Sequence, residues 1–148
     1  MKLSSIFLAV FGVFCHHILV EAVEYHLMYT RMPSGAQVTA FSGNMTIPPH
    51  ISPSVSYLWP GLQSNNGVFQ TVLDGRTGGW WVGTGWYGNP SAPWGGSFNI
   101  NVGESLHFNY TRNSTGWTTS LIGPNGNSVT GFFKGLRRLS KYLFLVYI

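Results

Sequence analysis

The sequence predicts an all-β chain folded as an antiparallel β-sandwich, and three observations carry that prediction. No window sustains apolar residues at helical spacing, alternating or β-branched and aromatic runs recur along the chain, and glycine or proline separates one run from the next. Many short strands joined by glycine turns, with no helix to cover a sheet, point to two packed antiparallel sheets, a sandwich or jelly roll.

In chain order, strands are expected at Tyr25–Thr30, Gln37–Ile47, Ser54–Trp59, Gly67–Asp74, Gly79–Trp86, Ser97–Val102, Ser105–Arg112, Trp117–Ile122 and Ser128–Phe133. In the Ser105 strand, Leu106, Phe108 and Tyr110 share one face, while His107, Asn109 and Thr111 share the other. Asn44 likewise falls opposite Phe41, Met45 and Ile47. Pro124-Asn125-Gly126 is a hairpin signal, because Asn-Gly tolerates the positive φ angles of a tight turn. Gly103 supplies a similar reversal before Ser105. The prolines at 48, 49, 53, 60, 90 and 93 belong at strand ends or edges, since proline cannot donate to a ladder.

The two ends of the chain read differently from its body. Lys2 precedes an apolar stretch from Ile6 to Phe14, and Val20-Glu21-Ala22 offers small residues for cleavage, so residues 1–22 read as a secretory signal peptide. Cys15 is the only cysteine and lies inside it, so the domain at residues 23–133 must be held by an ordinary core. Residues 134–148 are basic and then apolar. This tail reads as foreign to the domain, with a terminal strand or a membrane-surface segment as alternatives, and the sandwich as truncated at its C-terminus. The closing apolar run is far shorter than the roughly 20 residues that span a bilayer, so no stable membrane span is expected.

The formal charge of +4 comes from the chain ends. Between Val23 and Phe133 the acids Glu24, Asp74 and Glu104 match Arg31, Arg76 and Arg112, leaving the body neutral. A neutral aromatic surface releases few counterions, which sets nucleic acid aside as a partner. Asn44-Met45-Thr46, Asn109-Tyr110-Thr111 and Asn113-Ser114-Thr115 fit the N-glycosylation pattern and, with the signal peptide, imply an extracellular glycoprotein.

Between Thr77 and Gly103 there is no Asp, Glu, Lys or Arg, yet Trp80, Trp81, Trp86, Tyr87 and Trp94 crowd into a run rich in glycine and proline. Flat apolar rings beside glycine suit contact with a polymer, and missing carboxylates remove the groups most hydrolases use for acid-base chemistry. The competing reading is that these rings fill the core or brace loops.

Several segments carry a family resemblance. Phe41-Ser42-Gly43-Asn44-Met45-Thr46-Ile47-Pro48, Ser56-Tyr57-Leu58-Trp59-Pro60-Gly61-Leu62, Gly67-Val68-Phe69-Gln70-Thr71, Trp86-Tyr87 and Val102-Gly103-Glu104-Ser105, taken together, resemble the fungal glutamic peptidases, the eqolisins. The resemblance covers about Val38 to Phe133 and implies a concanavalin-like jelly roll. It makes Gln70 the counterpart of a catalytic glutamine that positions water and stabilises an oxyanion. The same resemblance implies a glutamate base inside a Trp-Tyr-Glu segment, and the local match here is Trp86-Tyr87-Gly88. Glycine has nothing to titrate.

No other residue restores the chemistry. Asp74 lies four positions after Gln70 on the same strand face, about 13 Å away at about 3.3 Å per residue. Glu104 belongs to a turn, and His26, His50 and His107 lack metal-ligand spacing, so neither metal nor cofactor is implied. The sequence therefore favours a secreted, non-catalytic domain that binds a glycan or other extended polymer. Trp80, Trp81, Trp86, Tyr87 and Trp94 are its expected stacking surfaces, with Gln70, Asn65, Asn66 and Asn89 as hydrogen-bond partners. The alternatives are a hydrolase, either a degenerate glutamic peptidase using Gln70 or a polysaccharide-cleaving enzyme, and a structural or host-interaction protein.

Overall fold

The computed structural model describes residues 26–50, 57–136 and 142–147. The expected signal peptide, Cys15 and Glu24 lie outside the described residues. The strands are β1 (His26–Arg31), β2 (Ala40–Thr46), β3 (Tyr57–Ser64), β4 (Gly67–Asp74), β5 (Trp80–Gly88), β6 (Ser97–Ile100), β7 (Ser105–Arg112), β8 (Gly116–Ile122), β9 (Ser128–Lys134) and β10 (Tyr142–Tyr147). They form a six-stranded sheet ordered β1-β10-β3-β4-β5-β6 and a four-stranded sheet ordered β2-β7-β8-β9. Every pairing between them is antiparallel. The protein is an all-β sandwich.

Strand alternation builds the core. Phe69, Thr71 and Leu73 of β4 and Trp80, Val82, Thr84 and Trp86 of β5 are buried, as are Leu106, Phe108 and Tyr110 of β7 and Trp117, Thr119 and Leu121 of β8. Phe69 sits at the centre, with its ring centroid 4.9 Å from those of Tyr110 and Phe133 and 5.8 Å from that of Trp117. Full burial of a Leu- or Phe-sized side chain contributes about 1.5–3 kcal/mol, which lets such a core hold without disulfides. The Thr71 and Tyr110 hydroxyls hydrogen-bond across the gap between the sheets. Burial pushes the Tyr110 phenol well up from its ordinary value, against the opposing effect of the bond to Thr71.

Turn chemistry follows the sequence at Pro124–Gly126, a single 3₁₀ turn in which Asn125 has φ 58° and Gly126 φ 80°. The Asn127 N–H donates to Pro124 O at 3.1 Å and the Gly123 N–H to Asn127 O at 2.8 Å, closing the hairpin. At the β6–β7 turn the Glu104 carboxylate accepts from the Asn101 N–H at 2.7 Å.

Two expectations are corrected. Pro60 does not end its strand, because β3 runs on to Ser64 between β10 and β4. The β3–β4 pairing passes from Leu58↔Leu73 to Gly61↔Gln70, so the ladder is interrupted where proline has no N–H to give. Trp59 and Pro60 keep their register with Val146 and Leu145 on the other side. The closing apolar run is likewise part of the sandwich, since Tyr142–Tyr147 forms β10 between β1 and β3. Its aromatic and apolar composition is that of a sheet strand, and residues 137–141 of the basic stretch before it lie outside the described residues.

Candidate functional site

The larger sheet has one face on the core and one turned outward, and strand parity decides which residues reach the outer face. On β4 the inward set leaves Val68, Gln70, Val72 and Asp74 on the other parity, Val72 being covered there at 6% exposure, and on β5 it leaves Trp81, Gly83, Gly85 and Tyr87. Register then places Gly61 of β3 on one side of Gln70 and Gly85 of β5 on the other. The Gln70 amide stands between two positions that carry no side chain. The missing side chains leave a gap in the outer face across β3, β4 and β5, a trough bounded on the β5 side by indole rings.

Indole rings occupy the space that the β5 glycines leave. A Cβ placed on Gly83 would lie 2.3 Å from the Trp81 ring, and one on Gly85 would lie 2.7 Å from the Trp94 ring. Both distances are far inside van der Waals contact, so only glycine lets the rings lie down on the sheet. The Trp81 and Trp94 rings meet edge to face, with centroids 5.2 Å apart and planes at 86°. Trp94 arrives there because the Gly95 N–H donates to Thr84 O at 2.8 Å and the Thr84 N–H to Gly96 O at 3.3 Å, folding the loop after Asn89 back along β5. Trp94 remains 52% exposed, which leaves ring area for a ligand.

The corner beside these rings is polar. Arg76 grips the Asp74 carboxylate, with Nη2 to Oδ2 at 2.7 Å and Nε to Oδ2 and Oδ1 at 3.0 and 3.1 Å. Partial burial pushes the Asp74 carboxyl up, but the hydrogen bonds and charge of Arg76 outweigh it and hold the group below its ordinary value. The guanidinium also lies over the Tyr57 ring at 5.4 Å, and Tyr57 meets Trp59 at 6.1 Å. Asp74, Arg76, Thr77, Trp81, Trp94 and Asn99 enclose a cleft of about 660 Å³.

The structure divides the residues expected from the sequence. Gln70 shares the outer face with Trp81 and Trp94, the Trp94 ring lying on its register neighbour Gly85, and Tyr87, 75% exposed, is on the same face opposite Val68. Trp80 and Trp86 are corrections: they are core residues, 2% and 6% exposed, and lie on the opposite face of β5 from Trp81. Adjacent strand residues face opposite ways, so Trp80 and Trp81 could not both point outward. Trp80 Nε1 donates to Pro48 O at 2.8 Å and its ring stacks on His50 at 4.6 Å, while Trp86 Nε1 donates to Pro90 O at 2.9 Å.

Asn65 and Asn66 form the exposed β3–β4 turn, away from Gln70. The Asn89 N–H donates to Asn66 O at 3.0 Å, and both asparagines border a second cleft of about 610 Å³ that also touches Trp94, Phe132 and Lys134. Sequence reasoning missed Gly61, Gly83 and Gly85, as well as Arg76 and Asn99. The signal was there in the outward parity of the two β5 glycines.

No protein-family model matches the chain, and no curated protein matches it. Among solved structures, scytalido-glutamic peptidase bound to a transition state analog inhibitor is similar, with a TM-score of 0.64 and 18% identity over 82% of this chain. The chain shares that fold. It spans 63% of the peptidase's length. Galectin-Ib of Xenopus laevis is similar at TM-score 0.48 and 12% identity, covering 82% of this chain and 92% of the galectin. Toad ovary galectin in complex with thio-digalactose follows at 0.45 and 10%, covering 82% and 90%.

The register revises where a carboxylate partner of Gln70 would stand. Gly88 lies opposite Gly67, on the strand parity that faces the core, so a glutamate there would not look toward Gln70. The outward neighbours of Gln70 are Gly61 and Gly85, and the next register position beyond Gly61 is Phe144 of β10. Among the described residues of this face Asp74 is the one carboxylate, and Arg76 holds it.

Proposed function

We infer that the protein is a secreted binding domain whose outer face on the larger sheet takes a glycan or a comparable extended polymer. The observation that carries this reading is the glycine-flanked Gln70 amide with the Trp94 ring on its neighbour Gly85 and the Trp81 ring meeting Trp94. A sugar ring lays its C–H face on an indole and pairs its hydroxyls with an amide, and this arrangement offers both within a few residues. A trough that crosses strands accommodates a chain longer than one sugar. Tryptophan emission titrated with a panel of plant, fungal and animal glycans tests the reading. A saturable shift that Trp94→Ala moves to higher ligand concentration supports it, and no shift across the panel refutes it.

A second reading, a hydrolase working through Gln70, draws on the likeness to the glutamic peptidase fold. An amide can stabilise an oxyanion but cannot take a proton from water, so that reading needs a carboxylate within about 3.2 Å of the water it activates. Asp74 sits too far along β4 and is ion-paired. Incubation with denatured protein and with polysaccharides at acidic and neutral pH separates the two: turnover lost in Gln70→Ala favours the hydrolase.

A further inference from the structure

The three glycosylation triplets all fall on the smaller sheet. Asn44 lies on its edge strand β2, Asn109 on β7 between β2 and β8, and Asn113 in the turn that joins β7 to β8. The outer face of this sheet is unlike that of the other. Register lines up Ser42, Asn109, Ser120 and Thr130 in one row of hydroxyl and amide groups, with the exposed Ile122 and Phe132 on rows to either side.

A glycan is attached through the asparagine Nδ2 and leaves the carbonyl oxygen as an acceptor. At two of the sites the fold already uses the oxygen. Asn113 Oδ1 accepts from the Thr115 N–H at 2.9 Å, the Thr115 hydroxyl at 3.0 Å and the Gly116 N–H at 2.9 Å. Asn44 Oδ1 accepts from His107 Nδ1 at 2.9 Å. Both residues are exposed. In each the turn or cross-strand contact survives substitution of Nδ2, and the nitrogen is the atom left over. Asn109 differs, being half-buried in an inner strand.

We propose that the chain enters the secretory route and carries N-linked glycans at Asn44 and Asn113, which clothe the smaller sheet and leave the trough face bare. In the transfer, the bond between C1 of the first sugar and the diphosphate of a lipid-linked oligosaccharide donor breaks and a C1–Nδ2 bond forms. The amide proton is released and the lipid diphosphate departs with the bonding electrons. The Asn44 glycan stands on an edge strand, where bulk and hydration oppose strand-to-strand association between copies.

The test is expression of the full chain in a secreting yeast, with mass spectrometry of peptides before and after an amidase that removes N-glycans. Sugar on both asparagines is expected. Asn44→Asp and Asn113→Asp keep an acceptor oxygen yet cannot take a glycan, so each should run one glycan lighter while still folded. A chain recovered from cells or medium with either asparagine unmodified overturns the proposal, as does either variant with unchanged mobility.

Discussion

Trp94 reaches back along β5 to lie on Gly85, and its ring meets that of Trp81 at nearly a right angle, 5.2 Å away. The contact is made on a backbone stripped of side chains, so a strand residue and a loop residue become one corner. That corner separates two roles that the tryptophan-rich run mixes together. Trp94 is 52% exposed and faces the trough, whereas Trp86 is 6% exposed and fills the core.

Substituting each tryptophan should therefore fail in a different assay. Trp94→Ala is expected to weaken ligand binding about tenfold, equivalent to about 1.4 kcal/mol, with little change in melting temperature. Trp86→Ala is expected to destabilise the fold by about 3–5 kcal/mol. Calorimetry beside a binding titration reads both, and equal loss of stability in the two variants would contradict the assignment.

Gly85 is predicted to be intolerant of a side chain for a reason confined to the trough. A valine there would push against the Trp94 ring, which has solvent to move into, but not against the core. Gly85→Val should keep the fold and lose the ligand-induced change in tryptophan emission. Full retention of that change would show that the ring's seat on Gly85 is irrelevant to binding.

The same substitution at two fully buried threonines should have opposite signs. Thr71 and Thr84 are both 0% exposed, but the Thr71 hydroxyl bonds Tyr110 while Thr84 Oγ1 finds no partner among the described residues. Thr71→Val leaves a buried phenol unpaired and should cost about 1–3 kcal/mol. Thr84→Val removes an unsatisfied hydroxyl at nearly constant volume and should stabilise by about 1 kcal/mol. Urea melts of the two variants check the pair.

Acid should loosen the corner of the trough. The Asp74 carboxyl is held below its ordinary value by Arg76, so the pair's contribution is fully present above the unfolded carboxylate value of about 3.9 and fades as pH falls through the lower folded value. Asp74→Asn should lose the pair's contribution at neutral pH and flatten the stability profile below about pH 4. An unaltered acid limb would mean that the pair does not differ between folded and unfolded states.

Particular residues show what was legible in the sequence. Asn125 and Gly126 announced their turn because few other pairs accept φ angles of 58° and 80°. The alternation in β7 told inside from outside because apolar and polar residues take turns there. In β5 both parities carry tryptophan, so composition alone cannot separate Trp80 from Trp81, and the outward glycines that would have separated them went unused. Pro60 misled because a ladder can skip a missing donor when the neighbouring strand lets the pairing lapse. The run of β10 misled because its partners, β1 and β3, are remote in sequence, and only the sheet joins them. Gly61 and Gly85 flank Gln70 through register, which no local pattern contains.

The central claim is that Gln70 serves a binding trough and not a reaction. Its most direct test is one experiment on Gln70→Ala and the wild type, in which a glycan panel is titrated by tryptophan emission while product formation from the same glycans and from denatured protein is followed. Saturable binding by the wild type, weakened in the variant and without product in either, is the predicted result. Product formed by the wild type and lost in Gln70→Ala would contradict the claim.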